Sequence, residues 1–289
     1  MKVSVIVPSY NQGEFIQRTL DSIMSQQGIE LELLIFDGGS SDGTLDILKK
    51  LPPSVAWVSA SDGGQTVAIN SGIKVATGDI LAYLNSDDIY YPNAIRRVIE
   101  EFNKNPDIEI LYGNGNHIDL NDNIIEPYYN EEWDYNRLID ICFICQPAVF
   151  WKRSIVDKFG FFDESLNYAM DYDYWLRIGK KMPIHYLPGA ALAGSRLHLD
   201  NKTLSRRLPV HEEILSVVMR HSPVPPYKWL KNLAHIRMLE DCKDNVLISE
   251  LEKQVMFLES LFYYARLNSI LFTQKEIDEI KHRLEMIGI

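Results

Sequence analysis

The stretch "LAYLNSDDIYYP", from Leu81 to Pro92, places an apolar run directly before two adjacent aspartates, Asp87 and Asp88. Neighbouring carboxylates repel each other unless a cation or hydrogen-bond donors lie between them. Pro92 precedes a segment with helical periodicity, so the stretch is interpreted as a buried strand, an acidic loop and the start of a helix. The acidic pair at the end of a strand therefore predicts a bound ligand.

The same change from strand to polar loop occurs four times in the first half of the chain. The predicted strands "KVSVIVP", "LELLIFD", "AWVSA" and "DILAYL" lead into "PSYNQG", "DGGSSDGT", "SDGGQ" and "NSDD". In open parallel sheets, ligands bind at the carboxyl edge of the strands. One loop of this composition can be merely a turn, but four of them predict a single shared site.

Short β-rich runs alternate with amphipathic segments, and the strand "IEILYGN" follows the helix "NAIRRVIEEFNK". This alternation predicts an α/β fold, in which a mostly parallel sheet is flanked by helices. Residues 182–203, "MPIHYLPGAALAGSRLHLDNKT", are interpreted as a strand pair or as a loop that closes over the sheet. The predicted α/β domain spans residues 1–204.

Residues 205–289 form a predicted helical C-terminal extension, because four segments with helical patterns replace the strand signals. The last segment begins with Thr273 three residues before Glu276, which is the spacing of a capping box, and its apolar face includes Ile287. A helical lid or a homo-oligomer interface is the favoured role. Contact with a membrane surface is the alternative, since "PPYKWLKNLAH" combines aromatic and basic residues.

The composition restricts the partners and the location. The 29 basic and 40 acidic residues give a net charge of −11, so nucleic acid is not an expected partner. Apolar runs stay below the roughly 18 residues that span a bilayer, and the N-terminus lacks the pattern of a secretory signal. We therefore expect a cytoplasmic protein, with at most peripheral contact to the inner face of the membrane. The pair Cys142 and Cys145 favours apolar packing over zinc or redox chemistry.

The acidic strand ends suit a nucleoside diphosphate. Asp37 and Asp62 can accept hydrogen bonds from the N–H and O–H groups of a base and a ribose. Asp87 and Asp88 suit Mg²⁺ or Mn²⁺, which prefer oxygen ligands and typically bind one or two carboxylates together with phosphate oxygens.

Four segments together resemble glycosyltransferase family 2, over roughly residues 1 to 200. These segments are "VSVIVPSYNQGEFI", "DGGSSDGT", "NSGIKVATGDILAYLNSDD" and "MDYDYWLRI". The resemblance implies the Rossmann-like GT-A fold and an inverting transferase that moves a sugar from a nucleoside-diphosphate sugar to an acceptor hydroxyl. It also implies a divalent metal, Mn²⁺ or Mg²⁺.

The resemblance assigns a donor site residue by residue. The matching positions are Pro8, Tyr10 and Asn11 beneath the nucleotide, Asp37 and Asp62 at base and ribose, Gln65 and Asn70 supporting the donor, Asn85 and Asp88 in the acidic loop, Gln146 at the sugar or acceptor, and Arg196 at the diphosphate. Asn85 stands where the family's D-x-D element has its first acid, so it brings no charge. Gln146 and its neighbour in the same segment, Trp151, can equally be core residues.

The metal ligands and the general base follow from the same comparison. Asp87 is the first choice for a metal ligand, and Asp88 is the choice for a second contact to the metal or the donor sugar. His198 resembles the histidine of the family's late Arg-x-His element. Asp171 is the base candidate and Asp173 the alternative, although Met170 replaces the first acid of the family's pair. Asp171 can also be a helix N-cap, which is compatible with a role as base.

Two other functions remain open from the sequence. A sugar nucleotidyltransferase would need a glycine-rich, basic phosphate loop after the first strand, where this chain has "PSYNQGEF". A catalytically silent nucleotide-sugar binding protein is consistent with the acids missing at Asn85 and Met170.

If the chain is an enzyme, the expected acceptor is a saccharide or a lipid-linked molecule in cell-surface polysaccharide or glycolipid synthesis. Four aromatic residues either form a stacking platform for this acceptor or pack in the core; they are Tyr128, Tyr129, Trp133 and Tyr135.

Overall fold

The computed structural model describes residues 1–222, 226–242 and 249–286. By its internal contacts the chain divides into two compact units. One comprises residues 1–135 and 143–199, and the other comprises residues 136–142 and 200–289. The first is an α/β unit that carries every predicted site residue, and the second is helical.

The α/β unit alternates strands and helices, as the sequence predicts. Its strands are β1 (Lys2–Ser9), β2 (Glu30–Asp37), β3 (Ala56–Ser59), β4 (Ile80–Tyr83), β5 (Ile89–Tyr90), β6 (Ile110–Gly113), β7 (Gly115–Ile118), β8 (Ile124–Pro127), β9 (Val149–Lys152), β10 (His185–Leu187) and β11 (Ala193–Arg196). Its helices are α1 (Ile16–Met24), α2 (Thr44–Leu48), α3 (Gln65–Val75), α4 (Ala94–Lys104), α6 (Ser154–Phe159) and α7 (Met170–Gly179), with a 3₁₀ turn at Gln146–Ala148; α5 (Tyr135–Asp140) spans the boundary between the units.

A seven-stranded sheet in the order β10-β6-β9-β4-β1-β2-β3 forms the centre of this unit, within the described residues. Its strands are parallel except for β9, which runs antiparallel to β4 and β6. In the pairing register, Ser9 lies opposite Asp37, and Ile6 lies opposite Tyr83. The carboxyl ends of β1, β2 and β4 therefore meet at one edge, and the predicted α/β fold is confirmed.

Buried apolar faces hold the layers together. Strand β4 is buried along its whole length, and α1 presents Ile16, Leu20 and Ile23 to the core at helical spacing. On α3, Gly72 permits close packing on β1, because a Cβ at that position would lie 2.5 Å from Cγ2 of Ile6. Apolar burial of this extent is the main stabilising contribution to such a domain.

A smaller sheet in the order β5-β11-β7-β8 continues from the large one. The interpretation of residues 182–203 as a strand pair is wrong, since β10 pairs with β6 in the large sheet and β11 pairs with β5 and β7 in the small one. Strands β6 and β7 are consecutive in the chain, so β10 and β11 follow them from one sheet to the other. Such long-range pairing leaves no local signal in the sequence.

The helical unit contains α8 (Lys202–Ser205), α9 (Arg207–His221), α10 (Tyr227–Asp241), α11 (Glu250–Leu267) and α12 (Gln274–Met286). The predicted capping box is present, since the backbone N–H of Thr273 donates to Glu276 Oε2 at 2.6 Å. Trp229 is 8% exposed, and its indole N–H donates to the carbonyl of Ile139 at 2.9 Å. Trp229 of the segment with aromatic and basic residues is therefore packed within the helical unit.

Some predictions concern residues outside the described part of the chain. Pro225 of the segment with aromatic and basic residues, residues 246–248 of a predicted helix and Ile287 belong to this group. Among the helices that the structure describes, none combines the length and the apolar character needed to cross a membrane.

A polar cluster closes the opposite, amino-terminal edge of the sheet. The carboxylate of Glu32 accepts hydrogen bonds from Ser4 Oγ at 2.5 Å, from Thr77 Oγ1 at 2.5 Å and from Lys2 Nζ at 2.9 Å. Burial alone raises the pKa of Glu32, but these hydrogen bonds outweigh it and lower the pKa from 4.5 to about 2. The ionised form of Glu32 therefore stabilises the folded state.

We expect the Glu32→Gln variant to lose stability in a pH-dependent way. The contribution of Glu32 is complete above the unfolded pKa of 4.5 and is lost as the pH falls towards the folded value of about 2. The variant should have a free energy of unfolding about 1–3 kcal/mol lower at pH 7, and the difference should shrink below pH ~4.5. Urea unfolding at several pH values measures this, with Glu30→Gln at an exposed position of the same strand as the control. A difference that is constant with pH would contradict the assignment.

Candidate active site

The loops after β1 and β2 are fastened to each other by hydrogen bonds. Asn11, which has a positive φ of 51°, donates its backbone N–H to Ser40 Oγ at 2.7 Å and accepts from the N–H of Ser41 at 2.9 Å. The N–H of Gly13 donates to Asp42 Oδ2 at 2.8 Å. Sequence analysis did not single out Ser40 and Asp42, although polar side chains at alternate positions of a loop are typical of such backbone contacts.

The carboxylate of Asp37 shapes its own loop. It is 2% exposed and accepts from the N–H of Ser40 at 2.9 Å, from Ser40 Oγ at 2.5 Å and from Ser59 Oγ at 2.6 Å. These partners occupy both carboxylate oxygens. Asp37 therefore lies at the predicted edge but is engaged in loop structure.

Tyr10, Gly38 and Asp62 outline a narrow gap at the same edge. The Tyr10 side chain is 62% exposed. A Cβ on Gly38 would lie 3.3 Å from Asp62 Oδ1 and 3.4 Å from Cδ2 of Tyr10. The absence of a side chain at position 38 thus leaves space between an aromatic ring and a carboxylate. Pro8 precedes this gap as a buried residue of β1.

A chain of amides crosses the end of β4. Gln65 Nε2, at the start of α3, donates to Asn85 Oδ1 at 2.8 Å, and Asn85 Nδ2 donates to Gln146 Oε1 at 3.2 Å. Gln146 Nε2 in turn donates to the carbonyl of Tyr83 at 3.0 Å. The structure thus brings three predicted donor residues into one hydrogen-bonded row.

Asp87 and His198 form a close pair beside this row. Asp87 Oδ2 lies 2.9 Å from His198 Nε2, and the two side chains are 15% and 5% exposed. The imidazole ring also packs on Phe15, with 4.8 Å between ring centroids. The two predicted metal ligands therefore come together from positions that are far apart in the sequence.

Asp88 points into the protein. It is 3% exposed, and its Oδ1 accepts from the backbone N–H of Arg196 at 2.9 Å, while Oδ2 accepts from Asn85 Nδ2 at 3.3 Å. Burial raises the pKa of Asp88 well above its usual value, and the nearby charge of Asp87 raises it further. The side chain of Asp88 therefore fastens β11 to the end of β4.

The position of Arg196 differs from the prediction. Its side chain is fully buried, with Nε donating to the carbonyl of Asp87 at 2.7 Å and Nη1 donating to the carbonyl of Asp119 at 2.6 Å. Nη2 is paired with Asp122 Oδ1. The guanidinium thus faces the turn between β7 and β8, so the predicted contact with a diphosphate is not available in this structure.

Helix α3 also fixes the segment that leads to α7. The side-chain amide of Asn70 is 1% exposed, donates to the carbonyl of Phe162 at 2.9 Å and accepts from the Phe162 N–H at 3.1 Å. Thr66 Oγ1 donates to the carbonyl of Leu166 at 2.9 Å. Asn70 therefore holds this segment rather than an exposed surface, and α7 begins close to the start of α3.

The two base candidates on α7 have different surroundings. Asp173 is 3% exposed and accepts from Arg177 Nε at 2.8 Å, whereas Asp171 is half-buried. The helix begins at Met170 with Ala169 at the N-cap, so Asp171 lies in the first turn and is not the N-cap. Of the two acids, Asp171 has the greater access to solvent.

The aromatic residues considered for an acceptor differ in their exposure. Trp151 is a core residue with 0% exposure, and Tyr128 packs on His117 with 4.9 Å between ring centroids. Tyr129 is 55% exposed, while Trp133 packs closely on Gly179 at the end of α7. Trp133 and Tyr135 share one neighbourhood, since a Cβ on Gly179 would lie 2.5 Å from Cη2 of Trp133 and 3.2 Å from Cδ2 of Tyr135.

Comparison with known proteins identifies the family of the chain. Residues 4–160 match the sequence profile of Glycosyl transferase family 2. The chain belongs to this family. An uncharacterized glycosyltransferase of Rickettsia typhi is 32% identical over 225 residues, covering 73% of this chain and 68% of its own length. A chondroitin synthase of Escherichia coli is 27% identical, covering 81% of this chain but 35% of its own length.

Solved structures of glycosyltransferases have the same fold as this family 2 chain. S. aureus TarS in complex with UDP-GlcNAc superimposes with a TM-score of 0.61 at 20% identity, covering 99% of this chain and 80% of that one. The mannosyltransferase PcManGT of Pyrobaculum calidifontis, in complex with GDP-Man and Mn²⁺, gives a TM-score of 0.57 at 17% identity, covering 98% and 79%. The predicted GT-A fold is thereby confirmed.

The Asp87 and His198 pair fits a divalent metal as two ligands. Two adjacent ligand atoms of an octahedral ion lie about 3 Å apart when each is about 2.1 Å from it, and the observed separation is 2.9 Å. Across residues 1–222, 226–242 and 249–286, no cluster of three or more His, Cys, Asp or Glu side chains could hold a metal ion. An ion here would therefore need further ligands from a phosphate or from water.

We expect the Asn85→Asp variant to be less stable than the parent. Aspartate retains the acceptor for Gln65 but loses both donated hydrogen bonds and adds a charge beside Asp87 and Asp88. The melting temperature should fall by roughly 5 °C at pH 8, and by less at pH 5, because protonation relieves the repulsion.

Differential scanning calorimetry measures this change, and Asn85→Ala is the matched control. The alanine variant loses both donated hydrogen bonds and also the acceptor for Gln65, but it gains no charge, so its loss of stability should vary little with pH. An equal pH dependence in the two variants would contradict the electrostatic explanation.

Proposed function

We propose that the chain transfers a sugar from a nucleoside-diphosphate sugar to an acceptor hydroxyl, with inversion at the anomeric carbon. The observation that carries this proposal is the convergence of three features at one sheet edge. These are the gap between Tyr10 and Asp62, the Asp87 and His198 pair, and the start of α7 with Asp171. Family membership supports the transferase class, and the geometry supports the roles below.

The gap at Gly38 suits the nucleoside. The exposed Tyr10 ring offers a surface on which a base can stack, and Asp62 offers an acceptor for a base N–H or a ribose hydroxyl. Asn11 and Asp37 form hydrogen bonds that fix the loops after β1 and β2 next to this gap. Complexes of two similar structures with UDP-GlcNAc and GDP-Man support a nucleotide sugar as the donor class.

Asp87 and His198 would hold the divalent metal, which supplies positive charge to the departing diphosphate when it is bound. Within the protein, Asp88 and Arg196 keep these two ligands in place from the buried side. The row formed by Gln65, Asn85 and Gln146 provides amide groups next to the same position. Such amides suit hydroxyls of a donor sugar.

Asp171 is the proposed general base. It takes the proton from the acceptor hydroxyl while that oxygen attacks the anomeric carbon, and the nucleoside diphosphate leaves from the opposite face. One protein carboxylate at the reacting centre is sufficient for this single displacement. Asp173 is less suitable because it is 3% exposed and its carboxylate is paired with Arg177 at 2.8 Å.

The names of the relatives support polysaccharide synthesis as the setting. Besides the chondroitin synthase, a hyaluronan synthase of Pasteurella multocida is 29% identical over 76% of this chain and 23% of its own length. We therefore propose a saccharide acceptor. A lipid-linked acceptor, a cytoplasmic location and oligomers formed through the C-terminal helices stay predictions.

Incubation of the purified chain with a panel of nucleotide sugars, with and without Mn²⁺, tests the proposed reaction. Release of free nucleoside diphosphate with product of inverted configuration is expected for at least one donor. Release of pyrophosphate from a nucleoside triphosphate and a sugar phosphate would instead indicate a nucleotidyltransferase. Binding of a donor without transfer or hydrolysis would indicate a silent binding protein.

We expect the Asp171→Asn variant to bind the donor as the parent does but to turn over at least about 100-fold more slowly. Only the transition state uses the base, so kcat should fall without a matching change in donor affinity. Steady-state kinetics together with calorimetry of donor binding separate the two effects. Asp46→Asn, at an exposed ion pair with Lys49, is the control. Unchanged transfer by Asp171→Asn would move the role to Asp173.

We expect the Asp87→Asn variant to weaken the Mn²⁺-dependent binding of a nucleoside diphosphate by about 10-fold or more. An amide oxygen can still coordinate, but it carries no charge, so affinity for the ion falls. Calorimetric titrations with and without Mn²⁺ measure this effect, with the exposed Asp107→Asn as control. Equal affinity of the parent in both conditions would refute the metal assignment.

A further inference from the structure

The turn between β7 and β8 is held by two arginines from other parts of the fold. Arg18 on α1 donates through Nη1 to the carbonyl of Leu120 at 2.6 Å and to Asp122 Oδ1 at 3.1 Å. Arg196 on β11 donates to the carbonyl of Asp119 at 2.6 Å and pairs with Asp122 Oδ1. Both arginines thus share the same Asp122 oxygen.

The turn itself presents Asp122 in a defined orientation. Asp119 Oδ1 accepts from the backbone N–H of Asn121 at 2.8 Å and of Asn123 at 2.9 Å. Asp122 has a φ of 67°, a left-handed conformation that asparagine and aspartate tolerate better than other side chains. The carboxylate therefore reaches Arg196 from a well-fixed backbone.

The ring of Phe15 connects this turn with the metal pair. The guanidinium carbon of Arg196 lies 5.1 Å from the Phe15 ring centroid, and that of Arg18 lies 5.5 Å from it. The His198 ring packs on the same residue at 4.8 Å. Arg196 and His198 thus contact one ring, and a shift of the guanidinium changes the packing of the imidazole.

Arg196 also contacts the acidic loop directly. Its Nε donates to the carbonyl of Asp87, and its backbone N–H donates to the carboxylate of Asp88. The Arg196 side chain has 0% exposure, whereas that of Asp122 has 33%. A buried guanidinium needs charge-assisted partners, because water does not solvate it. Its position therefore depends on Asp122.

We propose that Asp122 is a positioning residue for the Asp87 and His198 pair, acting through Arg196. Asp122 fixes the guanidinium of Arg196, and this guanidinium fixes the main chain of Asp87. It also packs on Phe15, which in turn packs on the ring of His198. Asp122 contacts neither member of the pair in these hydrogen bonds. An effect of Asp122 on activity rests on the proposed metal-dependent transfer. The positioning of Asp87 and His198 by Asp122 does not depend on that function.

Asp122→Asn tests this proposal with little disturbance of the turn. Asparagine has the same shape and tolerates the left-handed conformation, so the substitution removes mainly the charge. The Mn²⁺ concentration for half-maximal nucleoside diphosphate binding should rise about 10-fold, as expected for partners that orient metal ligands. Arg18→Ala should change it less than about 3-fold, since Arg18 contacts the turn but not the acidic loop.

Calorimetry of Mn²⁺ and nucleoside diphosphate binding gives this readout, with Asp46→Asn as the matched acid-to-amide control. A double-mutant cycle that combines Asp122→Asn with His198→Asn adds a sharper test. If Asp122 acts through the pair, adding Asp122→Asn to His198→Asn should cause a smaller loss than Asp122→Asn causes in the parent, because only the contact with the main chain of Asp87 remains. Additive losses, or a lowered melting temperature with unchanged Mn²⁺ dependence, would overturn the proposal and leave a purely structural role.

A readout without metal or turnover separates this inference from the proposed function. In protein labelled with ¹⁵N-histidine, the ring nitrogen signals of His198, assigned with His198→Asn, should shift in Asp122→Asn and stay in place in Asp46→Asn. Unchanged signals would overturn the inference even if the enzyme is active. If the signals shift in Asp122→Asn but the parent protein binds no Mn²⁺, the positioning role of Asp122 is retained and the metal-dependent function is rejected.

Discussion

The opposite orientations of Asp87 and Asp88 are the constraint on which the rest of the candidate site depends. One carboxylate is buried and accepts the backbone N–H of Arg196, while the other faces His198. The buried member has a raised pKa because of burial and of its charged neighbour. The unfavourable proximity of two acids is therefore reduced by hydrogen bonds on one side and by an imidazole on the other.

The amide at Asn85 contributes to the same balance. An acid at this position would add a third carboxylate next to two others, whereas the amide both accepts from Gln65 and donates to Asp88 and Gln146. Where an acid would add a negative charge, Asn85 both accepts and donates hydrogen bonds across the end of β4. The change from the family's usual acid is consistent with a tip whose negative charge is concentrated at Asp87.

The sequence predicted the elements of the fold well, because apolar periodicity and strand-end loops are local signals. Strands β1, β2 and β4 and helices α3 and α4 lie where their patterns place them. Pairing between distant segments has no such signal, and the separation of β10 and β11 into two sheets was missed for that reason.

The same limit applies to the site. Motif comparison predicted that Asp87 and His198 lie together. It could not show that the polar atoms of Asp37 and Asn70 form hydrogen bonds within the protein. Nor could it show the partners of Arg196, since Asp119 and Asp122 lie in a turn that carries no recognisable motif. Which partner a polar side chain takes depends on three-dimensional neighbours, and the residue type alone does not determine it.

The direction of Arg196 has a consequence for the chemistry. A guanidinium facing the diphosphate would offset part of the charge that develops on the leaving group. In this structure that cation is buried against Asp122 and two carbonyls, and Arg196 contacts the main chain of Asp87 and the side chain of Asp88. Under the proposed function, the positive charge that stabilises the leaving group would come from the metal ion that Asp87 and His198 are proposed to hold. The proposed function therefore predicts a stronger dependence on the metal than in an enzyme whose arginine contacts the phosphates directly.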